Sequence, residues 1–319
     1  MTINIGLAGS VCWYHVVMST NKTKIDLAVA EGFMRSLLNL PGVKLIPIDA
    51  GETAQAYFFQ TDDGPRVLRV NMHRDFGFHK DQYCYDHFAS SHVPIPKILG
   101  IGEIEAGLYY SISERVSGKT LDKFNTDQIN NLMPQIIDTL DHIHQTAPLG
   151  SGYGNIELSG NAKSSTWREK MEKNLVTEDE ETTSAEFYKE DYAEKLRSDV
   201  RALLSVVSEV RNLIHCDYGF ENPVSDGVSI NGVIDWEHAT YGDFMYDVAW
   251  LDYWNAKQGY ATAFKQYYDQ QNRKVDNFNE RLMMYKIFIG YGAMGFFARS
   301  RQQDKYDFAK AEVNKLLTK

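Results

Sequence analysis

Four residues in one short window have the types and order that suit phosphate transfer onto a hydroxyl group. Residues 213–247 contain, in this order, His215, Asp217, Asn222 and Asp235. A carboxylate on a loop can orient and deprotonate an attacking hydroxyl, while carboxamide and carboxylate oxygens can hold Mg²⁺ against nucleotide phosphates. The window therefore predicts phosphoryl transfer.

Asp217 is the candidate for the group that accepts the hydroxyl proton, because it follows a histidine on a short loop. The alternative is an aspartate that only caps a turn. We expect His215 to brace this loop rather than to transfer protons. We expect Cys216 to be a small buried residue rather than a reactive thiol.

Asn222 and Asp235 are the candidate Mg²⁺ ligands, since both offer hard oxygen atoms. The Asp226-Gly227 pair between them predicts a hairpin that folds the chain back on itself. A hairpin without a metal explains the same spacing, so that alternative stays open. Asp243 stands before a run typical of a helix start and is expected to be its N-cap.

Two features of the first third of the chain suit nucleotide phosphates. Gly51 and Thr53 lie in a short turn between two predicted strands, where small residues let backbone N–H groups approach phosphate. A simple hairpin turn is the alternative. Arg69 lies within a predicted strand, where its cation can hold the α- and β-phosphates or can be a surface cation without that role.

The elements that must position these residues change in character along the chain. Short β-rich runs separated by turn signals predict an antiparallel meander, then an aromatic-rich helix and two more strands. The predicted strands cover 43–49, 56–60, 66–70, 97–104 and 108–116, and the helix covers 78–90. After residue 118, apolar residues recur at helical spacing, which predicts helices around 129–143, over 192–210 and from 243 onward.

This pattern predicts an α+β protein with a β-rich first lobe over 18–115 and a mainly helical second lobe over 116–319. Residues 1–17 contain no Lys, Arg, Asp or Glu and are interpreted as a dispensable extension, with a misplaced start as the alternative. The acidic stretch 177–190 is interpreted as a solvated loop and helix start, with a cation-binding lip as the alternative.

The composition suits a globular protein that acts on a small molecule. The net charge of −10 over 319 residues argues against nucleic acid as the partner. Three cysteines without metal-ligand spacing suit a reducing cytoplasm, and no segment approaches the length of a membrane span. We expect a cytoplasmic monomer or weak dimer that binds a small-molecule substrate.

Two stretches resemble the aminoglycoside phosphotransferase family, a branch of the protein-kinase-like fold. HCDYGFEN resembles the family's catalytic loop, and VIDWEHATYGDFMYDVA resembles its metal-binding segment and the following helix. VLRVN, SISERVSGKTL and STWRE match as well, and GFHKDQYCYDHFASSHVPIPKILGIGE is similar to the hygromycin-type subgroup. The resemblance covers about residues 45–260. It implies a two-lobe kinase-like fold that uses Mg²⁺ and ATP, with GTP as the alternative nucleotide.

The resemblance also assigns roles by position. It makes Asp217 the base, Asn222 and Asp235 the Mg²⁺ ligands, and the backbone of Glu114 and Val116 the contact for the nucleotide base.

The sequence departs from the family's pattern in two respects. Arg69 and Asp81 stand where the family has a strand lysine and a helix glutamate, and the planar guanidinium is not equivalent to an ammonium group. Pro223 after Asn222 removes a backbone donor, which we expect a strand edge to tolerate.

The implied reaction is phosphorylation of a hydroxyl on an aminoglycoside-like cationic small molecule, with a hygromycin-type antibiotic as the leading acceptor. Glu221, Glu237 and Asp252 are candidate substrate carboxylates chosen by position alone, and Glu237 has a structural role as its alternative. Two other interpretations stay open: a kinase of another metabolite, such as choline, a sugar amine or a macrolide, and a nucleotide-binding pseudokinase that acts through partners.

Overall fold

The computed structural model describes residues 23–49, 54–72 and 76–318. The described chain forms two compact units. The first contains the described residues up to Thr139 together with Glu221–Glu237, and the second contains Leu140–Phe220 and residues 238–318. This division differs from the predicted boundary at residue 116, because the first unit also includes residues 116–139 and a returning segment of the chain.

Ten α-helices and eleven strands are found in the described residues. The first half of the chain contains α1 (Leu27–Leu38), β1 (Ile46–Ile48), β2 (Gln55–Thr61), β3 (Gly64–Met72), α2 (Phe76–Phe88), β4 (Ile98–Glu105), β5 (Leu108–Glu114), β6 (Lys119–Thr120), α3 (Thr126–Gln145), β7 (Gly154–Asn155) and α4 (Trp167–Lys173). The second half contains α5 (Glu180–Thr183), α6 (Glu190–Leu203), β8 (Asn212–Ile214), β9 (Pro223–Ser225), β10 (Ile230–Val233), β11 (Thr240–Gly242), α7 (Met245–Trp254), α8 (Tyr260–Gln270), α9 (Phe278–Arg299) and α10 (Gln303–Leu317).

The main sheet of the first unit is antiparallel, with strand order β1-β2-β3-β5-β4. Alternate side chains of the two central strands β2 and β3 point to one buried face, as the period of a strand requires. That face packs with buried residues of α1 into one core, and each large side chain buried there contributes about 1.5–3 kcal/mol. The core includes Tyr57, Phe59, Leu68, Val70, Ala30 and Met34.

A second, three-stranded sheet of the first unit brings distant parts of the chain together, in the order β10-β9-β6. The predicted hairpin at Asp226-Gly227 joins β9 to β10, and the Asp226 carboxylate accepts the N–H groups of Val228 and Ser229 at 2.9 Å. Gly118 precedes β6 with φ +116°, and a Cβ there would lie 2.1 Å from the Ser225 carbonyl oxygen. Only glycine permits both this backbone conformation and this close approach.

The second unit is mainly helical, with a small antiparallel sheet of order β7-β11-β8. Helices α7 and α9 have buried side chains around most of their circumference, which explains why neither shows a clear apolar stripe in the sequence. Helix α6 ends at Leu203, so the predicted end at residue 210 was too late. A short 3₁₀ turn follows, and the chain is extended from Val207. Among the described helices, none is long and apolar enough to cross a membrane.

Candidate active site

The loop that carries Asp217 follows β8 directly and is held by one buried carboxylate. Asp247 in α7 accepts the backbone N–H of His215 and that of Cys216, each at 2.8 Å. His144 of α3 contacts the same carboxylate, with its Nε2 atom 3.0 Å from Oδ2. Because all three contacts converge on a side chain with no exposed surface, Asp247 fixes the path of the loop.

Within this loop the backbone is locally constrained. Cys216 has φ +67°, a left-handed backbone conformation that residues other than glycine, asparagine and aspartate rarely adopt. The N–H group of Asp217 donates to His215 Nδ1 at 3.3 Å, which matches the bracing role expected for that histidine. Asp217 is 3% exposed, and Cys216 is buried, as expected for a small interior residue. The loop therefore presents Asp217 in one defined position.

Asp243 was expected to cap the helix after β11, and its contacts are more extensive than a cap requires. Its Oδ1 atom accepts the N–H of Met245 at 3.0 Å, at the start of α7. The same carboxylate pairs with the guanidinium of Arg281 and accepts the Tyr285 hydroxyl at 2.8 Å, both from α9. The N-cap position of α7 is Phe244, so the prediction of Asp243 as the N-cap was wrong by one residue. Asp243 instead ties the start of α7 to α9.

In the first unit, the β9–β10 hairpin brings the backbone at the two candidate metal ligands together. Asn222 immediately precedes β9, and its carbonyl oxygen accepts the N–H of Ile234 at 3.0 Å, one residue before Asp235. Asn222 is 6% exposed, whereas the Asp235 side chain is 41% exposed. Asp235 has φ +65°, a left-handed conformation that aspartate tolerates better than most residues. Oxygen atoms from a carboxamide and a carboxylate fit the preferences of Mg²⁺.

No group of three or more His, Cys, Asp or Glu side chains in the described residues has the arrangement of a metal cage. Such a cage is not required, because Mg²⁺ in nucleotide sites is usually held by one or two protein groups together with phosphate and water oxygens. The residues present therefore fit Mg²⁺.

Arg69 and Asp81, the two residues that replace the family's lysine and glutamate, are in contact. The guanidinium of Arg69 in β3 pairs with Asp81 in α2, and its other nitrogen lies 3.8 Å from the Asp235 carboxylate. Asp81 also accepts the backbone N–H of Trp236 at 2.7 Å. The pair therefore connects the main sheet to the segment that carries the candidate metal ligand.

The charge on Arg69 is secured by its neighbours. Burial alone would lower the pKa of this guanidinium, but the carboxylates of Asp81 and Asp235 outweigh burial, so the pKa of Arg69 lies above its ordinary value. The guanidinium also lies 5.0 Å from the centre of the Phe78 ring. A permanent cation held beside Asp235 is suited to contact with phosphate oxygens.

The residues predicted to contact a nucleotide base lie at the end of β5. The N–H of Glu114 is already used by the Lys97 carbonyl at 2.9 Å. Within the described chain, Val116 forms no backbone hydrogen bond, so its N–H and C=O groups are free for a ligand. The Val116 side chain packs closely against Gly232 of β10, which holds the residue in place.

The three candidate substrate carboxylates have different surroundings. Glu237 is partly exposed and packs against Gly77, where a Cβ would lie 2.6 Å from Oε2. Glu221 is partly exposed, and its charge raises the pKa of Lys123, although the nearer Asp122 has the larger effect. Asp252 is buried, and its carboxylate accepts Lys286 Nζ at 2.7 Å and the N–H of Ala261 at 2.9 Å. The placement of Asp252 favours a structural role.

Two other predictions concern the Gly51–Thr53 turn and Pro223. Gly51 and Thr53 lie outside the described residues, so their predicted contact with phosphate stays a prediction. Pro223 lies in the central strand of its sheet and not in an edge strand as expected. It is tolerated there because it is the first residue of β9, where only β10 pairs with it, while β6 pairs with Val224 and Ser225.

The chain is similar to known proteins in both sequence and fold. Residues 44–278 match the model of the phosphotransferase enzyme family, which is abbreviated APH. The chain belongs to this family. The hygromycin-B 4-O-kinase of Escherichia coli is 31% identical over 255 residues, which cover 77% of this phosphotransferase and 72% of that protein.

Solved structures show the same relationship. A crystal structure of the aminoglycoside phosphotransferase APH(4)-Ia has a TM-score of 0.77 and 25% identity, covering 92% of this chain and 99% of that one. A thermostable mutant of that enzyme, in a ternary complex with AMP-PNP and hygromycin B, has a TM-score of 0.76 and 26% identity, covering 90% and 97%. The GDP complex of aminoglycoside 2'-phosphotransferase-IIIa shares the fold, with a TM-score of 0.64 at 15% identity over 92% and 98%.

These matches confirm the family resemblance, the α+β kinase-like fold and the assignment as a phosphotransferase. The roles of individual residues stay predictions. The roles of Asp247 and His144 in holding the Asp217 loop were not predicted from the sequence. The only sequence signal for Asp247 was its place in the GDFMYD segment, which had been interpreted as a helix start.

Proposed function

We propose that this phosphotransferase transfers the γ-phosphate of ATP to a hydroxyl group of an aminoglycoside-like cationic small molecule, with a hygromycin-type antibiotic as the acceptor. The observation that carries the proposal is the loop of Asp217, a nearly buried carboxylate. The backbone N–H groups of the two residues before it are both held by Asp247. A rigid, water-poor carboxylate is what the orientation of an attacking hydroxyl requires.

In this proposal Asp217 accepts a hydrogen bond from the acceptor hydroxyl and takes up its proton as the oxygen attacks phosphorus. His215 does not exchange protons with the substrate, because it is fully buried and its Nδ1 atom already accepts the N–H of Asp217. The role of the loop is therefore positioning and proton acceptance.

Asn222 and Asp235 would hold Mg²⁺, which when bound neutralises charge on the nucleotide phosphates. Arg69 would contact the α- and β-phosphates, while Asp81 keeps the guanidinium in place. The free backbone groups of Val116 would bind the nucleotide base. We propose ATP rather than GTP on the similarity to an enzyme whose ternary complex contains AMP-PNP.

The acceptor is proposed from the curated relative, which is named for phosphorylating hygromycin B. Glu221 and Glu237 are the carboxylates that remain partly exposed and could pair with amino groups of a cationic acceptor. Asp252 is not included, because Lys286 neutralises its carboxylate. We further propose that the enzyme acts in the cytoplasm, where ATP is available, as a monomer or weak dimer.

The test is a survey of acceptors with purified protein and Mg²⁺, in which ADP or GDP release is followed by a coupled assay. Hygromycin B, kanamycin, choline and a macrolide are each offered with ATP and with GTP. We expect saturable turnover with hygromycin B and ATP, and loss of turnover in Asp235→Ala. Turnover only with choline or the macrolide would replace the proposed acceptor. Nucleotide binding by calorimetry without turnover of any acceptor would favour a pseudokinase.

A growth assay tests the consequence for a cell. Expression of the wild-type chain in a sensitive host should raise tolerance to hygromycin B, while Asp235→Ala at equal protein level should not. Equal tolerance with both proteins would show that phosphoryl transfer is not the cause.

A further inference from the structure

Glu237 lies against a glycine in the first turn of α2. Gly77 has an ordinary helical backbone conformation, so no positive φ explains a glycine at this position. Glycine is also a poor helix former. A Cβ on Gly77 would lie 2.6 Å from Oε2 of Glu237 and 3.0 Å from its Cδ atom, closer than a methyl group tolerates. The missing side chain of Gly77 therefore makes room for the Glu237 carboxylate.

The next turn of α2 holds the residue that precedes Glu237. Asp81 follows Gly77 by four residues, so both lie on the same face of the helix, one turn apart. The Asp81 carboxylate accepts the backbone N–H of Trp236 at 2.7 Å. The Trp236 ring is buried, and its Nε1 atom donates to the Val233 carbonyl oxygen at 2.9 Å. Trp236 and Glu237 are thus attached to consecutive turns of one helix face.

These attachments fix the residue that is the candidate Mg²⁺ ligand. Asp235 directly precedes Trp236, and its side chain is 41% exposed, so burial does little to hold it. Its φ of +65° is a left-handed conformation that the neighbouring residues must maintain. On its other side, the N–H of Ile234 donates to the Asn222 carbonyl oxygen at 3.0 Å. Asp235 is therefore held by a backbone hydrogen bond before it and by α2 after it.

The same helix also supports the proposed contact with nucleotide phosphate. Asp81 pairs with the guanidinium of Arg69, which lies 3.8 Å from the Asp235 carboxylate. A carboxylate near the N-terminus of a helix is attracted by the partial positive charge of the backbone N–H groups there. Glu237 supplies such a carboxylate at the first turn of α2, so it is suited to hold the segment 235–237 on this helix.

We propose that Glu237 is a positioning residue for Mg²⁺, because its carboxylate docks the segment 235–237 on α2 and so keeps Asp235 where it would bind the ion. The inference rests on the metal-binding role proposed for Asp235. It gives Glu237 a different function from the contact with acceptor amino groups considered above. Loss of a positioning residue weakens the affinity for Mg²⁺, whereas loss of an acceptor contact raises the KM for the acceptor.

Gly77→Ala tests the contact without removing a charge. The added methyl group takes the space of the Glu237 Oε2 atom. Because this carboxylate ends a flexible side chain, it can turn away while the protein stays folded. Glu237→Ala removes the contact directly. Gly32→Ala in α1 is the matched control, because a Cβ there would have no described atom within 4 Å.

Calorimetry measures the affinity of the full chain for Mg²⁺ in the presence of saturating AMP-PNP. We expect the Kd for Mg²⁺ to rise about three- to tenfold in Gly77→Ala and in Glu237→Ala. It should stay within about twofold of the wild-type value in Gly32→Ala. The double variant Gly77→Ala/Glu237→Ala should bind no more weakly than Glu237→Ala alone, since the methyl group then displaces no carboxylate.

A second measurement needs neither metal nor nucleotide. In protein labelled with ¹⁵N-tryptophan, hydrogen exchange of the Trp236 amide reports how often its hydrogen bond to Asp81 opens. We expect this exchange to be about three- to tenfold faster in Gly77→Ala and in Glu237→Ala than in the wild type. In turnover, the Mg²⁺ concentration for half-maximal rate should rise in both variants, while the KM for hygromycin B stays within about twofold of the wild-type value.

Asp235→Ala separates this inference from the proposed function. If this variant binds Mg²⁺ as tightly as the wild type, the metal-binding role of Asp235 fails and the inference fails with it. If Asp235→Ala loses affinity for Mg²⁺ while Gly77→Ala and Glu237→Ala keep it, only the inference is overturned. A raised KM for hygromycin B with an unchanged Kd for Mg²⁺ would also overturn it and would assign Glu237 to the acceptor. If Glu237→Ala does not fold, Gly77→Ala decides alone.

Discussion

Asp247→Asn tests how strongly the loop of Asp217 depends on a residue that touches no substrate. The wild-type carboxylate accepts two backbone N–H groups at 2.8 Å and contacts His144 at 3.0 Å, all in a fully buried environment. Hydrogen bonds to a charged acceptor contribute about 1.5–3 kcal/mol each. An amide of the same shape keeps one acceptor oxygen, but it turns an NH₂ group toward a backbone donor.

The substitution therefore loses at least one charge-assisted hydrogen bond and leaves a buried N–H unpaired. We expect the free energy of unfolding to fall by about 2–4 kcal/mol. A displacement of Asp217 by about 1 Å would lower kcat roughly 100-fold. The KM for ATP should change little, since the hydrogen bonds of the Asp247 carboxylate are with His215, Cys216 and His144.

Initial rates of phosphate transfer, measured at a temperature where circular dichroism shows the variant folded, give kcat and KM separately. The matched control is Asp141→Asn, because Asp141 is also a buried aspartate held by several donors, from Arg273 and Tyr267. This control should lose stability but keep kcat within about twofold of the wild type. A folded Asp247→Asn protein with wild-type kcat would refute the bracing role.

Three further outcomes are expected from the structure. Gly118→Ala should lower the free energy of unfolding, measured in urea, by about 2–4 kcal/mol. Gly42→Ala, which has open space around the added Cβ, should change it by less than about 1 kcal/mol. Equal effects of the two substitutions would contradict the close approach of Gly118 to β9. Burial raises the pKa of Glu178 to about 7, so the folded state holds the proton of this carboxyl more tightly than the unfolded state does. The free energy of unfolding should therefore fall by about 1–3 kcal/mol as pH rises from 4.5 to 7, and Glu178→Gln should remove this pH-dependent component. Arg69→Lys should raise the KM for ATP about tenfold, because one ammonium group cannot contact Asp81 and phosphate at once as the two ends of a planar guanidinium can. An unchanged KM would show that Arg69 does not bind phosphate.

Local patterns in the sequence were sufficient to predict much of the fold. Strands β2 and β3 alternate between buried and partly exposed side chains, and the resulting period of two is readable without a structure. Helices α7 and α9 lack a polar face because other helices surround them, so their periodicity is weak and their ends were not predicted. The end of α6 was missed because a 3₁₀ turn, and not a proline or glycine, terminates it.

The candidate site could also be predicted only where the signal is local in the sequence. Asp217, Asn222 and Asp235 could be proposed as candidates because their residue types lie at short spacing in one window. The contacts that hold them join distant parts of the chain: His144 and Asp247 are 103 residues apart, and Asp81 and Trp236 are 155 apart. No local pattern reports such contacts, because they depend on how helices and strands pack. The ion pair of Asp252 with Lys286 of α9 could not be predicted for the same reason.

The central claim is that Asp217 is the base for phosphate transfer to a hydroxyl group. The direct measurement is the rate of phosphate transfer from radiolabelled ATP to hygromycin B by the wild-type protein and by Asp217→Asn, both shown to be folded and to bind ATP by calorimetry. We predict turnover by the wild type and a loss of about 10²–10⁴-fold in kcat for the variant, with the affinity for ATP nearly unchanged. A variant that turns over at the wild-type rate would contradict the claim.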